Sequence, residues 1–388
     1  MFWFRARVYE KELNFLNVYQ VNSSMKNIIC LLTSVAVAGM VAVTKPAQAQ
    51  QPKLQQVYAD NTYQFTGVAV SAKNRLFVTY PRWSTTYKYA VVEVMPDGTA
   101  KPFPDAAMNE WKTGEDGQNK WVCVQTAYVD DDDYLYIVDP AAPFLNKVVG
   151  NGAKVVKFNL NTNKIEKVYR FGTTIDNSSY LNDIRVDTKK QMAYITNSGT
   201  GGIVILDLKT GKSRQVLQMH KSVHPDPNAK FVIDGHQLLK QGQPVVFNSD
   251  GIALTPDNNW LYYKTITDKK LYRIKTASLL NEKLTPNQLS GEVQNLGDVV
   301  STDGMIFDKK GNLYLGDMVN YRMVVLDPQL KAHTWFKSKS LIWPDTYSIS
   351  KDGYIYITTS QIHKQPDFNN HVNKRTEPYH VFKVKLPQ

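Results

Sequence analysis

The chain has 388 residues, of which 43% are hydrophobic and 21% charged, so it can bury a sizeable core and falls outside the disordered class. Its 21 Gly and 18 Pro exclude collagen-like and low-complexity chains. At about 150 residues per domain the length allows two or three domains or one large all-β domain, and the net charge of +11 has to be judged after the N-terminal segment is set aside.

Ile28 to Val43 is an apolar run of 16 residues, short of the about 20 that a bilayer-spanning helix needs. Lys26 precedes it and Ala47-Gln48-Ala49 follows as a small-x-small cleavage site. Residues 1–49 therefore read as a signal peptide, with 1–24 as an upstream start-site extension ahead of Met25. An uncleaved anchor is the rival reading. Removing five basic and two acidic residues with this segment lowers the net charge from +11 to +8. The remaining lysines are scattered over turns, which argues for a secreted or periplasmic protein without nucleic-acid partners and without a stable membrane anchor after cleavage. Cys123 is the one cysteine left; with no internal disulfide available, it reads as a small buried apolar residue.

From residue 50 onward the chain repeats. Ser249 to Tyr263 alternates apolar and polar residues, turns at Thr255-Pro-Asp-Asn-Asn259 and alternates again; Thr302 to Leu315 repeats the pattern. Weaker copies run over Thr66–Ser71 with Leu76–Val78, Gln125–Asp130 with Tyr134–Ile137, Leu181–Asp187 with Met192–Ile195, and Asp345–Ser350 with Tyr354–Ile357. Each is a period-2 β-hairpin. The first turn residues, Ser71, Asp130, Asp187, Thr255, Asp308 and Ser350, are spaced by 59, 57, 68, 53 and 42 residues, room for a four-stranded sheet each time. Six such units predict an all-β, six-bladed β-propeller over residues 50–388. In the sixth unit only Tyr379–Lys385 follows the hairpin, so Pro52–Tyr58 is expected to supply the missing outer strand and close the ring.

Five residues before each turn stand Thr66, Gln125, Asn182, Asp250, Asp303 and Asp345. Apolar residues occupy the positions two and four further on, so one face of each innermost strand is polar at its start and apolar below. The polar six are expected to ring a central funnel. Carboxylates converging there repel one another and need a bound cation, a ligand ammonium or a neighbouring arginine. Alternatively each Asp caps backbone N–H groups where its strand begins. The second hairpin strands return to the same rim, which brings Tyr80 to Trp83, Asp139, Thr196, Asn197, Lys264, Asp317 and Ser360 to His363 near it. Of these, Arg82, Trp83 and His363 are candidate ligand-binding residues. Asp303 and His363 are the candidate proton-transfer residues.

Tyr180-Leu-Asn-Asp-Ile-Arg-Val-Asp187, Tyr194-Ile-Thr-Asn-Ser-Gly199, Asp250-Gly-Ile-Ala-Leu-Thr-Pro256, Leu271-Tyr-Arg-Ile274, Trp343-Pro-Asp-Thr346 and Gln361-Ile-His363 occur in that order. In them the chain resembles the major royal jelly protein and yellow family, over roughly residues 60–386. The resemblance implies a secreted six-bladed propeller; animal members include a dopachrome-converting enzyme, pigmentation proteins and salivary binders of biogenic amines. More distantly the chain is similar to the gluconolactonase and senescence-marker-protein family of Ca²⁺-dependent lactonases. That likeness implies metal ligands at Thr66, Asn182, Asp250 and Asp303, with Asp303 as general base; Asn182, Asp250 and Asp303 keep oxygen ligands, whereas Thr66 replaces a glutamate.

Three functions follow as expectations. The first is binding of a small molecule, an aromatic amine or quinone-like compound, in an acidic funnel, with tautomerase or isomerase chemistry as an extension. The second is a Ca²⁺-assisted lactone hydrolase, and the third is a non-enzymatic exported interaction protein. Asp130 to Asp133 reads as a solvated hairpin turn, and His220 with His224 as loop residues, because Pro225 and Pro227 break the helix that zinc spacing would need. The insertion at about 218–247 is expected to overhang the funnel.

Overall fold

The computed structural model describes residues 52–387; the segment read as a signal peptide lies outside the described residues. Six four-stranded antiparallel sheets follow one another along the chain. The first is built from Gly67–Val70, Leu76–Thr79, Val91–Val94 and Ala100–Pro102. The second runs from Thr126–Val129 to Lys164–Arg170, the third from Leu181–Asp187 to Ser213–Val216, the fourth from Ser249–Leu254 to Gln294–Asp298, and the fifth from Met305–Phe307 to Ala332–Lys337. The sixth takes Pro344–Ile349, Tyr354–Thr359 and Tyr379–Lys385, and its outer strand is Gln55–Asp60 from the other end of the sequence. This is the expected six-bladed propeller, closed by the expected strand. Among the described residues no helix is long and apolar enough to cross a membrane.

The hairpin turns explain the alignment of their first residues. The side chains of Ser71, Asp130, Asp187, Thr255, Asp308 and Ser350 each accept backbone N–H groups two to five residues on, the Asx and ST turns that short oxygen side chains favour. Asn74, Asp133, Gln191, Asn258, Gly311 and Gly353 then take the left-handed conformation that completes the turn. Asp130 is less solvated than a turn residue promises: burial pushes its carboxyl up to about 6. Asp133 accepts the N–H of Ala72 in the neighbouring blade.

Alternation along each strand sends side chains to two different neighbours. Leu135 and Ile137 pack toward the first blade with Ala69 and Phe77, whereas Tyr136 and Val138 pack toward the third with Ile184 and Val186. Equivalent apolar layers fill the other blade junctions, including the one across the ring closure, where Tyr58, Phe65, Val68, Tyr379 and Val381 meet. The core is thus a ring of wedges between blades. Two short helices, Thr276–Leu280 and Pro286–Gly291, interrupt the fourth blade before its outer strand. No helical stretch is legible there in the sequence, since segments of one to two turns are too short to display a period, although Thr285 and Gln288 form a capping box.

The ring closure makes one expectation concrete. Deleting residues 50–60 removes an outer strand and Tyr58 and leaves Tyr379–Lys385 as a bare edge. The thermal midpoint is expected to fall by roughly 5–10 °C; an unchanged midpoint in a melting experiment would show that closure contributes nothing.

Candidate functional site

The six aligned residues converge as expected at the starts of the innermost strands, and all are 0–6% exposed. The strand pairing is irregular at this level in three blades, between Leu181 and Ile184, Ser249 and Ile252, and Pro344 and Tyr347. Such bulges place two successive residues against one partner and re-aim the pairs Asn182-Asp183, Asp250-Gly251 and Asp345-Thr346. Blades approach one another closely here. The Thr66 and Thr79 hydroxyls donate to the Gln125 carbonyl at 2.7 and 2.9 Å, Thr196 to that of Asp250 at 2.7 Å, and the Gly304 N–H to that of Asp345 at 2.8 Å. A Cβ at Gly251 or Gly304 would lie 2.2 or 2.3 Å from the Asp303 or Asp345 carbonyl oxygen, so only glycine permits this contact.

Four carboxyls share the axis: Asp250, Asp303, Asp345 and Asp183, the last of which the repeat alignment passes over. Burial pushes the first three well above the ordinary carboxylate range, and the charges of neighbouring carboxylates add to it. Asp183 is raised by burial against the opposing pull of Arg185, whose Nη2 lies 3.9 Å away. The Asp303 charge raises Asp250 further and the Asp345 charge raises Asp303 further, so the group titrates as a coupled set that favours its protonated forms. Asn182 Nδ2 donates to Asp250 Oδ2 at 2.5 Å, and the Trp343 indole donates to Asp303 Oδ2 at 2.6 Å. Asp250 Oδ1 and Asp345 Oδ2 are buried with no partner among the described residues. Lys264 is fully buried with its ammonium on the Asp268 carbonyl at 2.9 Å; burial lowers it to about 8, against the attraction of Asp268, Asp250 and Asp303.

The other candidates divide. Trp83 reaches the ring indirectly: its indole donates to Tyr180 Oη at 2.9 Å, and that hydroxyl donates to Gln125 Oε1 at 2.8 Å. Arg82 lies in the loop layer, stacked over Tyr87 at 3.9 Å and donating to the Trp111 carbonyl. His363 stacks on the Trp343 ring at 5.6 Å and pairs with Asp234 at 3.1 Å; Trp343 separates it from Asp303, and burial lowers its imidazole to about 4. It is therefore neutral near pH 7, and its hydrogen-bond partner is Asp234 rather than an axial carboxyl. Asp139 is bound by Lys154 at 2.9 Å and by three backbone N–H groups, and Asp317 by Arg322 at 2.6 Å, so both are structural. The side chain of Asn197 organises strand ends, whereas the Ser360 hydroxyl donates to the Trp343 carbonyl at 3.4 Å and Asp345 Oδ1 accepts from the Thr346 hydroxyl at 3.2 Å.

The insertion after residue 218 does lie over this end. Phe231 meets the Trp343 ring edge-on at 5.9 Å, Ile233 and Leu238 join the same cluster, Asp234 accepts from Tyr321 and His363, and Lys240 pairs with Asp367 at 2.9 Å. His220 bonds Ser222, while His224 bonds Asn248 and the Gln218 carbonyl; the two rings serve separate partners. Cys123 is buried beside Trp111, Val122 and Ala141, with its thiol pushed up to about 12 by burial.

The expected calcium ligands fit that ion poorly. Asn182 turns its N–H toward Asp250, Asp303 Oδ2 accepts from the Trp343 indole, and the Thr66 hydroxyl is spent on a carbonyl. Among the described residues no three His, Cys, Asp or Glu side chains gather at metal-binding distance, against the 6–8 oxygens calcium takes.

Asp345→Asn tests the crowding. A carboxyl raised in the folded state favours folding fully below its unfolded pKa of about 3.9, and that contribution is lost as pH rises through the folded value. The variant is expected to melt higher than the parent at pH 8 by at least about 1.4 kcal/mol, the worth of one pKa unit, and to match it near pH 3.5. A variant less stable at pH 8 would contradict the charge assignment.

The backbone is similar to solved propellers. A gluconolactonase from Xanthomonas campestris superposes with a TM-score of 0.52 at 12% identity, covering 87% of this chain and 90% of that one. The calcium-binding protein regucalcin from Agrobacterium tumefaciens gives 0.51 at 11%, covering 84% and 90%, and a luciferin-regenerating enzyme gives 0.50 at 11%, covering 86% and 95%. Such identities establish the fold alone. No curated protein sequence matches the chain significantly. The family described as major royal jelly protein matches residues 122–386, which include the second to sixth first-strand motifs and the residues around Trp343 and His363, and the chain belongs to that family.

Proposed function

We propose that this protein is an exported binder of a small organic amine, whose ammonium is held by the axial carboxyls. The observation that carries the reading is the pair of bare buried oxygens, Asp250 Oδ1 and Asp345 Oδ2, in a group of four carboxyls with Lys264 and Arg185 as the neighbouring cations. Buried acceptors without donors are costly. An ammonium brings N–H donors and a positive charge together, and so answers both deficits. The aromatic surface of Trp343 adjoins Asp303 and suits an aromatic body, and entry requires Phe231 and its neighbours to move off Trp343.

The same residues support proton transfer on a bound ligand. Asp250 and Asp303 are both raised well above the ordinary carboxylate range beside one another, so the pair can hold a proton and pass it on. Tautomerisation of a quinone-like amine needs one group to give a proton and another to take one, with no change of oxidation state. His363 acts on Trp343 and Asp234 in this scheme and is a positioning residue. Calcium-assisted lactone hydrolysis asks for an oxygen cage that these side chains do not form among the described residues.

Thermal melting with tyramine, its neutral analogue 4-ethylphenol and calcium chloride separates the readings. Tyramine is expected to raise the midpoint, by the equivalent of about 2.7 kcal/mol at a hundred times its Kd, and 4-ethylphenol to leave it unchanged. The tyramine effect is expected to disappear in Asp250→Ala and Asp303→Ala. A rise with micromolar calcium and none with amines would overturn the proposal in favour of a metal site; no response to any of them would leave the exported interaction protein.

A further inference from the structure

The opposite end of the axis holds a cavity of about 940 Å³ at the turn ends of the innermost strands. It takes no part in the amine site. Its wall is apolar, with Val68, Val70, Val129, Leu254 and Ile349, because the strand positions below the polar ring alternate toward the axis. Tyr128, Phe307 and Tyr347 add aromatic faces, and Phe307 is fixed edge-on against Tyr262 at 5.0 Å.

Arg185 also lines this cavity and is only 5% exposed. A guanidinium carries five N–H donors. Here Nη1 donates to the Ile184 carbonyl and Nη2 to that of Met305, both at 2.7 Å, while Nε is buried with no acceptor among the described residues. Asp183 is too far, at 3.9 Å, to accept a hydrogen bond, and its carboxyl is itself pushed up by burial. The charge of Arg185 is therefore incompletely answered by the protein. At the mouth stand the exposed Lys309, Lys310 and Lys351 with one exposed carboxylate, Asp131, whereas the carboxylates of Asp130, Asp133 and Asp308 are tied into turns and to the neighbouring blade.

We propose that this cavity is a second ligand site, for an organic anion with a flat apolar body, whose carboxylate or equivalent acid group meets Arg185 while the body lies among the aromatic and branched side chains. A carboxylate matches the fork of a guanidinium and supplies the acceptors it lacks. Burying the apolar body removes surface from water on both sides, and the lysines at the mouth attract anions toward it.

Calorimetric titration of the purified protein with 2-naphthoate and with its neutral isostere 2-naphthamide tests this. Naphthoate is expected to bind one to one and at least about tenfold tighter than the amide. Two variants are expected to weaken naphthoate at least about tenfold: Arg185→Gln, which removes the charge, and Leu254→Trp, which fills the cavity and leaves Arg185 in place, so that the test survives if one of them fails to fold. Equal affinity for acid and amide, naphthoate affinity unchanged in a folded variant, or no binding at millimolar concentration would each overturn the proposal.

Discussion

The centre of this protein depends on keeping four carboxyls in a dry place. All four are only 2–5% exposed, so water screens their mutual repulsion little and their charge has to be removed by protons or offset by cations. Both occur. Burial and mutual repulsion push Asp250, Asp303 and Asp345 toward their protonated forms, Arg185 lies 3.9 Å from Asp183, and Lys264 is held fully buried within reach of the group. Burying acids against their preference weakens the fold. The inter-blade wedges of aliphatic and aromatic side chains supply the stability that allows it, and the repeat architecture supplies those wedges at every junction.

The backbone is part of the same device. Innermost strands start with bulges in the third, fourth and sixth blades, and glycines at 251 and 304 let one strand touch the next blade's carbonyl. The carbonyls are thereby consumed in closing the ring, and the carboxyl oxygens are left for other work. The two ends of the axis differ in consequence. One is polar, narrow and covered by the 218–247 insertion; the other widens into an apolar cavity bounded by turns. Arg185 lies between them, in contact with the acids on one side and lining the cavity on the other.

The architecture was legible because turns and alternation are local. An Asx or ST residue followed by a left-handed one marks each hairpin, and period-2 patterning marks its strands, so six repeats and the closing strand can be read off a single chain. The aligned polar ring was legible for the same reason. Asp183 and Arg185 were not, although both stand inside the motif Leu181-Asn-Asp-Ile-Arg-Val186. A regular strand would send Asp183 and Arg185 away from the face of Asn182, and the bulge that re-aims Asp183 leaves no mark in the sequence. His363 was placed at the rim by its chain position, but that its ring packs on Trp343, whose indole in turn bonds Asp303, depends on tertiary packing no local pattern records. Asp139 and Asp317 likewise had the right position and turned out to be held by Lys154 and Arg322, partners whose approach depends on the third strand of each blade.

The crowding of buried carboxyls pushed toward their protonated forms is the feature from which the proposed function follows. An ammonium favours ionised carboxyls, so its binding lowers their raised pKa values and favours release of a proton. The most direct measurement is the enthalpy of tyramine binding at pH 7 in phosphate and in Tris, buffers that differ widely in their heat of protonation. A difference corresponding to the release of about one proton per amine bound, with affinity rising as pH rises, is the predicted result. Tight binding with the same enthalpy in both buffers would show that no proton leaves the axis, and would contradict the account.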